Sequence, residues 1–213
     1  MPRTKEITLY QFDELSDTAK IAARDWYRQC SDGDNDFAES VIEDAAECAA
    51  ILGITIDHHP VKLMNGKTRQ DPSVWWSGFW SQGDGACFDG SYCYAAGAHR
   101  KIRAHAPQDT ELHRIADGLL AVQKEYSYSL SASIKHIGHY SHAHSTTITV
   151  DRGIGPNEIA GADVEAIETL LRDYMTWIYR ELEKEYEYQN ADEQVDETIR
   201  ANEYEFTEDG ERA

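Results

Sequence analysis

The chain has 213 residues, 41% hydrophobic and 28% charged, with a formal net charge of -19. That length and balance suit a globular protein with a sizeable core, and no apolar run approaches the roughly 18 residues a membrane span needs. Phosphate backbones and anionic membranes attract clustered Lys and Arg, so the charge argues against direct nucleic-acid binding and membrane attachment and favours a basic partner.

The charge is uneven. From residue 158 onward there are 18 Asp and Glu against 5 Lys and Arg, a net of -13 that leaves -6 for residues 1–157. This shift suggests an α+β core over 1–157 and an acidic helical extension over 158–213 packed on it. The first twelve residues contain no apolar stretch of the kind a secretory signal carries, which places the protein in the cytoplasm. Cys30, Cys48, Cys87 and Cys93 lack C-x-x-C spacing and read as reduced thiols.

In chain order, residues 6–12 read as a strand with Ile7 and Leu9 alternating against polar neighbours, and Ser16 as the N-cap of a helix to residue 29. A second helix over 37–52 spaces Phe37, Val41, Ala45, Cys48 and Leu52 on one face and stops at Gly53. Ile54 and Ile56 open a short strand.

Two aromatic runs follow, 75–80 and 86–94, separated by SQGDG. An Asp-Gly pair in a short loop predicts a hairpin, and Gly90 marks a bulge or a close backbone approach. Aromatic side chains serve both cores and binding platforms. The hairpin is read here as chiefly core, with Trp76, Trp80 and Asp84 as the groups available to a partner. Asp84 is expected to contribute almost nothing to stability.

A helix over 109–124 is predicted from Leu112, Ile115, Ala116, Leu119, Leu120 and Val122, and a second hairpin from 126–136 and 142–150. Leu130, Ala132 and Ile134 alternate with serines and Lys135, so one face is buried and the other wet. Residues 152–156 form a turn-rich loop. A long helix over 162–188 carries Val164, Ile167, Leu171, Tyr174, Ile178 and Leu182 at helical spacing, a short helix spans 192–202, and YEFTEDG closes with an aromatic pair. The fold class is therefore α+β: an antiparallel sheet built from hairpins, with helices on one face and a long acidic C-terminal helix.

Dinucleotide, P-loop, nucleophile-elbow and zincin motifs are missing from the sequence. The one chemical constellation is KHIGHYSHAH. If the hairpin turns near Gly138, His136, His142 and His144 share the parity of Ile134 and Ile148 and could converge on zinc. No carboxylate lies near in sequence to orient them, so the expectation is no metal and no cofactor.

The long helix admits two readings. Glu165, Glu168, Glu183 and Glu187 lie off its apolar stripe. Carboxylates three or four residues apart stand about 5–6 Å apart, comparable to phosphates along a strand, so the face either imitates nucleic acid or is only solvated.

The segments LYQFDELSDTAKIAARDWYR, SGFWSQGDGACFDGSY, ELHRIA, LLRDYMTWIYRELEKEYEY and ANEYEFTEDG resemble a family of phage and prophage proteins known as antitoxin of toxin-antitoxin stability system. The resemblance implies a mobile-element origin and carries no catalytic residue. It points to interference with a host machine: a CRISPR complex, a restriction enzyme or a toxin. Two classes compete. One is a non-enzymatic acidic protein that blocks a basic, nucleic-acid-handling host protein; the other is a metal-dependent enzyme using the histidine hairpin with Asp84 or Asp89.

Overall fold

The computed structural model describes residues 7–31, 35–153 and 158–213. In chain order the elements are β1 (Tyr10–Gln11), α1 (Asp17–Ser31), α2 (Phe37–Leu52), β2 (Ile54–Ile56), β3 (His58–Lys62), β4 (Thr68–Pro72), β5 (Val74–Ser77), β6 (Gly85–Phe88) and β7 (Gly90–Cys93). They continue with α3 (Ala98–His105), α4 (Thr110–Glu125), β8 (Leu130–His136), β9 (Thr146–Arg152), α5 (Gly161–Gln189), α6 (Asp192–Ala201) and β10 (Glu205–Phe206). The fold is α+β, every strand pair is antiparallel, and the long C-terminal helix is present. The boundary expected at 157/158 and the loop centred on residues 154–156 lie outside the described residues.

Two compact units divide the chain, one of Met1–Ala38 with Lys184–Ala213 and one of Glu39–Glu183. In the first, β1 pairs with β10 through Tyr10 opposite Phe206. The core is Phe12, Leu15, Ala19, Ala23, Val195, Ile199 and Phe206, with Trp26 and Tyr204 packed against it. Ser16 caps α1 as its sequence position suggests, its Oγ accepting from Ala19 N at 3.2 Å. Arg24 joins α1 to α6 through a two-pronged pair with Asp196, at 2.6 and 2.8 Å. The strand expected over 6–12 is confined to two residues because the chain turns at Phe12–Glu14 into a short 3₁₀ helix.

The second unit centres on a four-stranded sheet of order β2-β7-β8-β9. Its alternation is clean. Ile54, Ile56, Tyr92, Leu130, Ala132, Ile134 and Ile148 are buried, while Ser91, Ser133, Lys135, Thr147 and Thr149 face the opposite way. The helices bury their own stripes, Leu112, Ile115 and Leu119 from α4 and Ile167, Leu171, Tyr174 and Ile178 from α5. Tyr174 meets Phe88 edge-on at 6.2 Å and donates its hydroxyl proton to Ala45 O of α2.

Three strands are each interrupted by a single residue: Asp57 between β2 and β3, Ser73 between β4 and β5, and Asp89 between β6 and β7. These three form a closed ring of backbone hydrogen bonds. Asp57 N donates to Asp89 O at 2.8 Å, Asp89 N to Ser73 O at 3.1 Å, and Ser73 N to Asp57 O at 2.7 Å. From this triangular junction three antiparallel arms leave in different directions: β2 with β7, β3 with β4, and β5 with β6. Each break satisfies two backbone groups that would otherwise be orphaned inside the fold.

The run 86–94, read as one strand, is therefore two strands in different sheets. Its first half, Gly85–Phe88, is buried on both faces. Gly90 permits a close backbone approach, since a Cβ there would lie 2.1 Å from Thr55 O of the paired strand. The arm β3–β4 and the helix α3 were not anticipated. The first exposes every residue of His58, Pro60 and Lys62, and the second buries only Ile102.

Candidate functional site

The loop 78–84 closes the β5–β6 hairpin and is longer than the SQGDG spacing suggests. Asp84 holds it shut: its Oδ2 accepts from Trp80 N at 3.0 Å and Ser81 N at 2.6 Å. This corrects the expectation that Asp84 is structurally idle, because one carboxylate oxygen satisfies two loop amides. The same loop leaves Trp80 81% exposed. Trp76 is half-buried and stacks on Phe79 at 5.5 Å, and Phe79 in turn lies 5.5 Å from the ring of Tyr179 on α5.

The β8–β9 hairpin does not turn at Gly138. β9 begins at Thr146, paired with His136, and the connection includes a 3₁₀ turn over Ala143–Ser145. His142 and His144 consequently lie outside the ladder and lose the parity that would have aimed them with His136. His136 sits within hydrogen-bond distance of Tyr140 O through Nε2, at 3.0 Å, and leans on Trp75 at 5.2 Å. His142 caps the 3₁₀ turn, its Nδ1 accepting from His144 N at 3.1 Å, and the two rings stack at 5.4 Å. Among the described residues these three histidines do not bring their ring nitrogens together. Asp89 is also spoken for, its Oδ1 accepting from His136 N at 2.6 Å.

The two loops do meet. A Cβ on Gly83 would stand 3.6 Å from Cδ1 of Tyr140, so the hairpin ends lie side by side; Trp80 is exposed on one loop and Ile137 and Tyr140 on the other. Next to them opens a cleft of about 270 Å³ lined by Asp84, His142, Thr176, Tyr179, Arg180 and Glu183. Gly85 forms part of its floor because a Cβ there would press to 2.8 Å from Cδ2 of His142. Tyr179 donates to Gly78 O at 3.0 Å, tying α5 to the loop. Burial first, then the negative fields of Glu183 and Asp84, hold the Tyr179 phenol above its ordinary range.

The four α5 glutamates expected to meet a partner are not equivalent. Glu165 and Glu187 are exposed, Glu183 is in the cleft wall, and Glu168 is paired with Arg172 at 2.9 Å. Eighteen residues separate Glu165 from Glu183, which is five turns, so both point the same way about 27 Å apart. Arg172 stands between them on that face, and the acidic row is interrupted rather than continuous. Sequence reading had no signal for the aromatic part of the site beyond Trp80, because Ile137 and Tyr140 belong to a segment dominated by histidines.

No helix among the described residues is long and apolar enough to cross a membrane. The sequence profile of a domain of unknown function, DUF8835, matches residues 37–192, more than half of the chain, and the chain belongs to that family. No curated protein and no solved structure matches it.

Proposed function

We propose that this DUF8835 protein is a non-enzymatic binding protein that engages and blocks a basic, nucleic-acid-handling protein through Trp80 and the acidic cleft beside it. The observation that carries the reading is a cleft walled by Asp84 and Glu183 at the meeting of two loops that expose Trp80 on one side and Tyr140 on the other. Binding hot spots favour a rigid aromatic anchor beside a pocket, with charged groups at the rim that set orientation and encounter rate. With two carboxylates and a phenol against the single guanidinium of Arg180, the cleft accepts a Lys or Arg side chain, while the flanking rings cover its aliphatic stem.

The net charge of -19 supports a basic partner. The likeness to phage and prophage proteins favours a host defence or toxin component as that partner, with the protein acting in the host cytoplasm as an anti-CRISPR, anti-restriction or antitoxin-like inhibitor. Mimicry of nucleic acid along the whole of α5 is the weaker part of the reading, since Arg172 breaks the row. The electrostatic contribution is therefore assigned to Glu183 and Glu187, toward the helix end.

The test is capture of bacterial proteins on the immobilised chain, followed by kinetics with the purified partner. Trp80→Ala combined with Tyr140→Ala should weaken binding by about 100-fold or more, as expected for lost aromatic anchors. Glu183→Gln with Glu187→Gln should slow association, and raising salt should do the same, because the Debye length is about 8 Å at physiological ionic strength. A partner that is acidic, or that binds both variants as tightly as wild type at low and high salt, refutes the proposal.

A further inference from the structure

We infer that Asp44, Cys48 and His105 form a binding site for a divalent cation of the zinc class, with Glu47 orienting the imidazole. Asp44 and Cys48 are four residues apart on α2, hence neighbours on one helix face, and His105, the last residue of α3, reaches the same point. One donor atom from each lies within 4.8 Å of the other two. His105 Nε2 is 3.5 Å from Asp44 Oδ1. Donors around a tetrahedral zinc, with bonds of about 2.0–2.3 Å, are separated by about 3.3–3.6 Å. One pair is thus already at ligand spacing, and the remaining pairs lie within 4.8 Å.

The donor mixture selects the ion. Calcium and magnesium take oxygen ligands, whereas thiolate with imidazole and carboxylate suits zinc and its neighbours. The far ring nitrogen supports the assignment, since His105 Nδ1 faces Glu47 Oε1 at 3.8 Å. A carboxylate in that position fixes the tautomer and rotation of a metal-bound histidine.

Cys48 is 1% exposed. The carboxylates of Asp44, Asp109, Glu47 and Glu181 surround it with negative charge. Those four carboxylates, contributed by α2, the residue before α4, and α5, are charge that a dication offsets. As the sulfur–metal bond forms, the thiol proton passes to solvent, so uptake releases one proton from Cys48. Three protein donors leave a fourth position for water or another ligand. The sequence offered no hint, because the three residues belong to two helices and only the pair on α2 has a recognisable spacing.

The chelator-stripped full chain, kept reduced, is titrated with Co²⁺. The expected result is one ion per chain, a thiolate-to-cobalt charge-transfer band, and displacement by Zn²⁺. Asp44 and His105 are exposed, so Asp44→Asn and His105→Gln should keep the wild-type circular dichroism and lose stoichiometric binding. Glu47→Gln should lower affinity by about 10- to 100-fold. Replacing the exposed Cys30 and Cys93 by Ser together should leave the band intact. Absence of the band in wild type, its survival in both Asp44→Asn and His105→Gln, or its loss with Cys30 and Cys93 overturns the assignment.

Discussion

Replacing Gln123 by Met should destabilise the larger unit far more than its near-constant volume suggests. Gln123 lies in the last turn of α4 and is fully buried. Its Nε2 donates to Leu130 O at 2.8 Å and Tyr92 OH at 3.2 Å, and its Oε1 accepts from Leu130 N at 3.2 Å. Gly153 N donates to Ser129 O at 3.0 Å, so in the β8–β9 ladder the polar groups of Leu130 point away from β9. On that other side β7 has already ended at Cys93, paired with Ser131. The Gln123 amide therefore takes the place of a missing strand residue. Methionine removes it and leaves a buried N–H and C=O, at about 1–3 kcal/mol each. We expect a total near 3 kcal/mol, read as a lower denaturant midpoint at unchanged slope, with a Tm fall of about 6–12 °C for a chain of this size. Tyr92→Phe removes only the third contact and should cost about 1 kcal/mol. If Gln123→Met unfolds within about 0.5 kcal/mol of wild type, the amide is not standing in for a strand.

Phe88→Ala should cost about 3–5 kcal/mol, since the ring is fully buried and meets Tyr174 edge-on; a change below 1 kcal/mol in urea denaturation contradicts that packing. Asp84→Ala should cost about 1–2 kcal/mol by releasing two loop amides, and should open residues 78–84 to limited proteolysis; an unaltered digestion pattern argues otherwise. Burial pushes both the Cys87 thiol and the Tyr92 phenol up to about 12, from ordinary values of 9.0 and 10.0. Both are protonated in the fold and ionise first in the unfolded chain, so stability is complete below pH 9 and falls from there to pH 12. Each contributes about 1.4 kcal/mol per pH unit within its window, and Tyr92→Phe should flatten the slope above pH 10. A flat stability profile from pH 9 to 12 would count against this.

The elements readable in the sequence are those whose burial repeats at a fixed period. α2, α4, α5 and the β8–β9 pair each bury one face over several turns or several alternations; the helix expected over 37–52 has those limits, and the strand expected over 126–136 ends with β8 but starts four residues before it, at 126 instead of Leu130. The junction was illegible for the opposite reason. Asp57, Ser73 and Asp89 each occupy a single position where alternation restarts in a new sheet, and their backbone ring involves residues up to 32 positions apart. The β3–β4 arm buries no complete face, so it carries no hydrophobic period to detect. At the site, Trp80, Asp84 and Glu183 were identifiable as a ring and two acids, though the exposure of Trp80 was not, and their surroundings depend on the long connection after His136, whose length was misread from a glycine.

The first unit is assembled from both ends of the residues described. Phe12, Ala19 and Ala23 have their packing partners in Val195, Ile199 and Phe206, and Arg24 has its carboxylate in Asp196. During synthesis α1 leaves the ribosome about 160 residues before α6 exists, which at about 5–20 residues per second is roughly 8–32 s with its apolar face uncovered. The four-stranded sheet of the larger unit draws all its strands from residues 54–152, which are made within that interval. Birth order and folding order therefore differ for the first unit: α1 is made long before the helix that covers it, and in the meantime its apolar face is open to chaperones and proteases.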